Sequence, residues 1–186
     1  VFFFRLVTFR SELRITEGCP FIQNAMTERE YNDCVDAHAD GVFRFILKNL
    51  QHTEDACDIV QTAFEKMWKN RDAVVRETAK SYLFTVAYHQ MIDHIRKSKR
   101  MILTDTFSED SRVSREVSPS LKRELEMALQ QLTPLQKSLI LLKDYEGYSY
   151  QEIGKITALN PSQVKVYLHR ARLQLRDFVG KPENII

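Results

Sequence analysis

Side chains suited to binding DNA are concentrated near the end of the chain. Between Pro161 and Lys181, five Lys and Arg residues stand against one acid, whereas the whole chain has a net charge of only +2. Lysine neutralises phosphate, and arginine donates two parallel hydrogen bonds to the major-groove edge of guanine. Acids elsewhere are spread along helix sides and do not surround a nucleophile or a metal. This chemistry indicates nucleic-acid binding and argues against an enzyme.

Two helices joined by a short turn position these side chains. Ser149 and Glu152 have the spacing of a capping box, which predicts that a helix begins there. Asn160 and Pro161 are typical N-cap and first-turn residues, so a second helix is predicted to follow a short turn. Its apolar residues share one narrow arc that is predicted to face the core: Val164, Leu168, Ala171 and Leu175. Gly154 predicts close approach by a neighbouring helix. The pattern is that of a helix-turn-helix.

The composition is typical of an all-α protein. The 186 residues include only 5 Gly and 5 Pro. No apolar run approaches the roughly 20 residues of a membrane-spanning helix, so no membrane insertion is expected. Cys19, Cys34 and Cys57 are widely spaced and odd in number, which favours a reducing cytoplasm over a disulfide framework. Cys34 and His38 stand one helical turn apart, but nothing completes a metal site, and no metal or cofactor is predicted.

The order of the helical patterns predicts two small helical domains joined by a flexible linker, the C-terminal one containing the helix-turn-helix. Helices are predicted over about 27–50, 53–70 and 79–100, and again from about 121 to 179. Residues 101–119 are polar and end in Ser-Pro, a composition typical of a linker. The domains are thus 27–100 and 120–181, and each is long enough to bury its own core. Residues 1–26 are predicted to be an irregular tail or a segment preceding the natural start.

The first predicted domain carries opposite charges at its two ends. From Glu28 to Asp58 there are eight acids and three bases, whereas from Asp93 to Arg100 four bases stand against one acid. An acidic surface repels phosphate and a basic surface attracts it. The domain is therefore expected to have two different partners.

The second and third helices of this domain have different apolar patterns. The second is amphipathic, and its predicted core face consists of Ala56, Ile59, Val60, Ala63, Phe64 and Met67. The opposite face is acidic and polar, which makes it either a solvated surface or a docking face for a basic protein groove. The third helix is apolar on two sides, so it is either sandwiched in a core or presents aromatic rings to unstacked bases. Core packing is the preferred interpretation for most of these rings.

Two segments of the chain resemble a known family. The sequence DACDIVQTAFEKMWKNRD, followed by KSYLFTVAYHQMIDHIRKSKR, resembles region two of bacterial sigma factors of the extracytoplasmic-function group. The sequence LTPLQKSLILLKDYEGYSYQEIGKITALNPSQVKVYLHRARLQL resembles region four of the same group. The two motifs are independent and occur in the family's order, which makes the resemblance more specific than a helix-turn-helix.

The resemblance implies three sets of contact residues. A set for docking on core RNA polymerase consists of Asp55, Asp58, Gln61, Thr62 and Glu65. A set for the −10 promoter element consists of Asn70, Arg71, Lys80, Tyr82, His89, Gln90, Arg96, Lys97, Lys99 and Arg100. A set for the −35 element consists of Ser162, Gln163, Lys165, Val166, His169, Arg170 and Arg172. Among these, Arg170 is the strongest candidate for reading a base, because arginine pairs bidentately with guanine.

The function that the resemblance implies is that of an alternative sigma factor. Such a protein binds the β′ clamp coiled coil and the β flap of polymerase, recognises promoter DNA in the cytoplasm, and is held inactive by an anti-sigma factor. A stand-alone helix-turn-helix regulator remains the alternative, and it would bind palindromic sites as a dimer. The −10 segment together with the motif around Asp58 and Gln61 distinguishes the two, because a regulator requires neither.

Overall fold

The computed structural model describes residues 26–104 and 120–179, with side chains placed for all of them except 99, 101–104 and 120–124. Within these ranges the chain forms seven α-helices and no strand, which agrees with the predicted all-α class. The first three helices are α1 (Glu28–Leu50), α2 (Thr53–Lys69) and α3 (Arg76–Thr104). They are followed by α4 (Ser120–Gln130), α5 (Pro134–Ile140), a π-helical turn (Leu141–Tyr145), α6 (Tyr150–Thr157) and α7 (Pro161–Val179).

The start of α1 and the buried face of α2 follow from their sequences. Thr27 and Glu30 form a capping box at the start of α1. All six residues predicted for the core face of α2 are buried, and the buried residues of that helix are Ala56, Ile59, Val60, Ala63, Phe64 and Met67. The structure therefore confirms the side of α2 that its apolar spacing predicts to face the core.

The ends of α3 differ from the prediction. The helix begins at Arg76, three residues early, and continues to Thr104, four residues into the segment predicted to be a linker. It is buried on two sides, through Leu83, Phe84, Ala87, Tyr88 and Met91, so its aromatic rings lie mainly in the core.

The rest of the predicted linker, 105–119, and residues 1–25 lie outside the described residues. Met26, predicted to belong to the tail, instead packs into the core and donates its N–H to the carbonyl of Arg71 at 3.0 Å.

Each helix of the helix-turn-helix begins with a reciprocal pair of capping hydrogen bonds. Glu152 receives the N–H of Ser149 at 2.8 Å and donates its own N–H to the Ser149 hydroxyl at 3.2 Å, which confirms the capping box. Asn160 caps α7 by accepting the N–H of Gln163 at 2.8 Å, and the side chain of Gln163 accepts the N–H of Asn160 at 3.1 Å. Ala158 ends α6 in the left-handed conformation at φ 57°. Val164, Leu168 and Ala171 are buried as predicted, and Leu175 is partly buried.

Gly154 is needed for a reason other than the predicted one. A Cβ atom placed on it would lie 2.6 Å from the carbonyl oxygen of Leu159, in the turn of the same motif. The close approach therefore comes from the turn that follows α6, and not from a neighbouring helix.

We expect Gly154→Ala to lower the free energy of unfolding by about 1–3 kcal/mol, because the backbone of the turn must move to admit the methyl group. Urea unfolding followed by circular dichroism measures this loss. The matched control is Lys155→Ala, at the exposed neighbouring position, which is expected to change stability by less than about 0.5 kcal/mol. Equal midpoints for the two variants would contradict the steric explanation.

The two halves of the chain share one hydrophobic core. Each predicted domain is long enough for a core of its own, and in the structure the buried residues of both halves belong to one continuous apolar cluster. Helix α3 packs on α6, and α1 packs on α5. The physical reason is the second apolar side of α3, where Phe84 is fully buried in edge contact with Tyr148.

Candidate functional site

An acidic and polar stripe runs along the side of α2 that faces away from the core. Asp58 and Gln61 are exposed, and Gln61 donates its side-chain N–H to Glu65 at 3.3 Å. Thr62 donates its hydroxyl to the backbone carbonyl of Asp58 at 2.8 Å, and Asp58 has no side-chain bond to Thr62. The predicted polymerase-docking residues thus form one continuous surface, which can accept hydrogen bonds and positive charge from a partner.

Asp55 lies at the end of this stripe, next to two histidines, and its backbone N–H donates to Nδ1 of His52 at 3.3 Å. One of its carboxylate oxygens is 3.0 Å from Nδ1 of His52 and 3.2 Å from Nε2 of His94. His94 belongs to α3, so this contact ties the start of α2 to the third helix. Asp55 therefore differs from Asp58, because its oxygen already has partners within the protein.

Cys57 lies beside the stripe and is partly exposed. Burial, with the nearby Asp58 carboxylate adding to it, raises the pKa of the Cys57 thiol. The thiol is therefore kept neutral at physiological pH, and it adds no charge to the surface.

The loop between α2 and α3 is held by polar and aromatic contacts. Asn70 donates its side-chain N–H to the hydroxyl of Tyr82 at 2.9 Å. The Arg71 guanidinium lies over the ring of Trp68 at 4.5 Å, and Tyr31 packs edge-on against Trp68 with ring centroids 4.8 Å apart. The structure thus brings three predicted −10 residues, Asn70, Arg71 and Tyr82, to one end of α3.

Most of the remaining −10 residues follow one face of α3. Tyr82, His89, Arg96 and Arg100 recur at helical spacing along that face, with Gln90 and Lys97 beside them. His89 and Lys97 are exposed, and Arg96 lies 3.5 Å from Asp93. The side chain of Lys99 lies outside the described residues. The arrangement is an aromatic end followed by a basic track, as single-strand binding requires.

Lys80 is not brought together with the other −10 residues. It lies two positions before Tyr82 and therefore on the opposite face of α3. Its ammonium is 3.6 Å from a carboxylate oxygen of Glu146 and 4.9 Å from the ring centroid of Tyr148, both in the second half of the chain.

The outer face of α7 presents the predicted −35 residues together. The exposed members are Ser162, Gln163, Lys165, Val166, His169, Arg170 and Arg172. Val164 and Leu168 fasten the opposite face to the core, so the outer face is held in a fixed orientation. Gln163 is also part of the α7 cap, which restricts its side chain.

Arg172 has a partner that the sequence did not predict. Its Nη2 donates to Asp144 at 2.5 Å and its Nε donates to the same carboxylate at 3.4 Å. This hydrogen bonding raises the pKa of Arg172 above its already high value, so the group stays charged. Gln136 and Gln174 form a second link to α7, at 2.9 Å. Neither pair has a sequence signal, because 28 and 38 residues separate the partners.

Other kinds of site are not found in the described part of the chain. No group of three or more His, Cys, Asp or Glu residues there is arranged to hold a metal ion. Cys34 is buried, with its sulfur 4.0 Å from that of Met67. Among the described helices, none combines the length and the apolar character needed to cross a membrane.

Comparison with protein families matches both halves of the chain. The model for sigma-70 region 2 matches residues 34–101. The model for sigma-70 region 4 matches residues 122–175. The first match contains α2 and the basic track of α3, and the second contains the helix-turn-helix.

Several proteins of this kind are similar over most of the chain. The sigma factor CarQ of Myxococcus xanthus is 28% identical over 158 residues, which cover 82% of this chain and 91% of CarQ. SigV of Bacillus subtilis is 28% identical over 144 residues, which cover 77% of this chain and 87% of SigV. The ECF sigma factor SigE of Mycolicibacterium smegmatis is also 28% identical, over 81% of this chain, but the match spans only 62% of that longer relative.

Two solved structures share the fold. The sigma factor RpoE of Bartonella quintana, in complex with the anti-sigma factor NepR, has a TM-score of 0.70 at 21% identity, covering 83% of this chain and 99% of that one. CnrH in complex with the cytosolic domain of CnrY has a TM-score of 0.62 at 19% identity, covering 83% and 90%.

Proposed function

The chain belongs to the sigma-70 family, in its extracytoplasmic-function group, and we propose on this basis that it directs core RNA polymerase to promoters as an alternative sigma factor. It acts by binding, in the cytoplasm where transcription takes place, and not as an enzyme. One observation carries the proposal: regions 2 and 4 match in the family's order, and each half presents the charge that its partner requires.

The acidic stripe on α2 is the surface that we assign to polymerase. Asp58 and Gln61 are its exposed centre, with Thr62 and Glu65 linked to them by hydrogen bonds. A basic groove, such as the β′ clamp coiled coil, fits this surface by charge complementarity. The second half would contact the β flap, so that both DNA-binding surfaces are oriented by polymerase.

The remaining two surfaces are assigned to promoter DNA. The end of α3 near Asn70 and Tyr82, with the basic track beyond it, would capture the opened −10 strand by stacking and phosphate contacts. The outer face of α7 would enter the major groove of the −35 element, where Lys165 and Arg172 contact phosphate and Arg170 contacts a base.

An anti-sigma factor is the regulatory partner that we propose. The sigma factor RpoE, which has the same fold, was solved in complex with the anti-sigma factor NepR. By analogy, such a partner would cover the surfaces assigned to polymerase and promoter in this chain.

Transcription in a purified system tests the function. Core polymerase is mixed with fragments of the source genome, with and without this protein, and the transcripts are sequenced. We expect new start sites that share a −35 and a −10 motif, together with co-elution of the protein with core. Absence of both results would contradict the proposal. Binding to palindromic DNA without polymerase would instead identify a stand-alone regulator.

A further inference from the structure

Arg172 and Asp144 form a two-pronged contact within the second half of the chain. One oxygen of the Asp144 carboxylate accepts an N–H of Arg172 Nη2 at 2.5 Å, and the other accepts the Nε–H at 3.4 Å. Paired bonds of this kind fix the plane of a guanidinium as well as its position. Of the five N–H donors of a guanidinium, three are not used by Asp144, including both on Nη1. Arg172 can therefore bind a second anion while Asp144 holds it.

Both ends of this contact are anchored in the core. Arg172 follows the buried Ala171 on α7, and Asp144 stands two residues after the buried Leu142 in the π-helical turn. Tyr150, the first residue of α6, adds a side-chain hydrogen bond to Arg172. The side chains of Arg172 and Asp144 are nevertheless 47% and 45% exposed. The guanidinium is thus open to a ligand but restricted in the direction that it points.

The held guanidinium lies along one edge of the outer face of α7. Arg172 stands seven residues after Lys165, which is two turns and about 10 Å along the helix, so the two cations form one row. His169 lies beside this row, toward the middle of the outer face. When a helix enters the major groove, cations along its edge meet the sugar-phosphate backbone and fix the register of the helix on the duplex. A backbone phosphate is therefore the anion that suits the position of Arg172.

Asp144 has two opposite effects on such a phosphate contact. Its charge repels phosphate, but the two anions would lie on different edges of one guanidinium, where water and salt reduce the repulsion to less than about twofold in affinity. Its hydrogen bonds order a long side chain in advance, and ordering such a side chain during binding lowers affinity by about 2- to 12-fold. Advance ordering is the larger effect, so this acid is expected to strengthen DNA binding.

We propose that Asp144 is a positioning residue for promoter binding, which holds the Arg172 guanidinium so that its remaining N–H groups face a backbone phosphate beside the −35 element. The proposal rests on the sigma factor function proposed above, because it takes −35 DNA as the ligand. It adds to that function a contact between the turn before the helix-turn-helix and the helix that binds DNA.

Promoter binding by the assembled holoenzyme tests the sign of the effect. The DNA is a promoter identified by the transcription experiment above. We expect Asp144→Ala to weaken binding by about three- to tenfold although it removes a negative charge, because Arg172 must then be ordered by the phosphate. Asp177→Ala is the matched control, since it removes an acid that lies 3.6 Å from Arg176 near the end of α7. It is expected to leave affinity unchanged or to raise it by less than about twofold.

A double-mutant cycle separates positioning from general structural damage. Arg172→Ala alone is expected to weaken binding and to reduce the slope of log K against log salt by about 1. In that background Asp144→Ala should no longer weaken binding, because no guanidinium is left to position. A displaced α7 would instead weaken binding in both backgrounds. The melting temperature of the free Asp144→Ala protein should fall by less than about 4 °C, since an exposed ion pair contributes little to stability.

Arg172→Lys tests the same contact with Asp144 left in place. Lysine keeps the charge but lacks the planar fork, so the variant is expected to keep the salt slope and to lose about as much affinity as Asp144→Ala. The positioning role is refuted if the Asp144→Ala holoenzyme binds the promoter at least as tightly as the wild type, or if its loss persists beside Arg172→Ala. If the wild-type holoenzyme binds no promoter, the sigma factor function fails and the positioning role fails with it.

Discussion

Replacing Asp58 by Arg is expected to remove most of the affinity of this protein for core RNA polymerase. The Asp58 carboxylate lies at the exposed centre of the acidic stripe on α2, beside Gln61. Reversal turns attraction to a basic groove into repulsion, and like charges opposed across an interface cost several kcal/mol. A loss of about 2–4 kcal/mol corresponds to about a 30- to 1,000-fold higher Kd.

The experiment compares Kd for core polymerase with the thermal stability of the free protein. The melting temperature should stay within about 2 °C of the wild type, because the Asp58 side chain is exposed and only its backbone carbonyl accepts a bond from Thr62. Asp33→Arg is the matched control, since it makes the same reversal at an exposed position of α1. If the two variants bind core equally well, the stripe on α2 is not the docking surface.

The sequence predicts local features of this fold well. The buried face of α2 and the caps at Ser149 and Asn160 depend on residues within two turns of each other. Such features follow from helical spacing and from backbone groups that need partners at helix ends. The acidic stripe and the outer face of α7 were predictable for the same reason, because each is simply the side of a helix opposite its apolar residues.

Contacts between distant parts of the chain could not be predicted in this way. Asp144 meets Arg172 across 28 positions, and Glu146 meets Lys80 across the boundary between the halves. The spacing of apolar residues within one helix indicates which side of that helix is buried. It does not indicate which other element packs against that side. The pattern of α3 shows this limit: two apolar sides were evident, yet nothing in the spacing indicated that Tyr148 would cover one of them.

The same limit explains why Lys80 was grouped with residues that lie on another face. The resemblance assigns Lys80 to the −10 element together with the loop that precedes it. Helix geometry places it one turn before Phe84, on the side that meets the second half. Lys80 therefore contacts Glu146 and Tyr148 of the second half, and neither contact could be predicted from the position of the lysine in the sequence.

Replacing Arg170 by Ala is expected to remove the sequence preference of the protein at one base pair of the −35 element. Arg170 is exposed on the outer face of α7, on a helix held in place by buried Val164 and Leu168. A bidentate arginine–guanine pair contributes about 1–3 kcal/mol of discrimination, or about 5- to 150-fold. Promoters that carry the preferred guanine should therefore lose that factor in open-complex formation, and promoters that lack it should change little.

Two control variants separate base reading from phosphate binding. Lys165→Ala should weaken binding of the assembled holoenzyme at every −35 sequence and reduce the slope of log K against log salt by about 1, as loss of a phosphate contact requires. Arg176→Ala removes an exposed arginine two turns further along α7 and should have little effect. Competition between promoters that vary at each −35 position measures all three variants. Arg170 would be reassigned to phosphate if Arg170→Ala lost the same affinity at every −35 sequence and showed the same reduced salt slope as Lys165→Ala. Only a base contact makes the loss of affinity depend on the sequence.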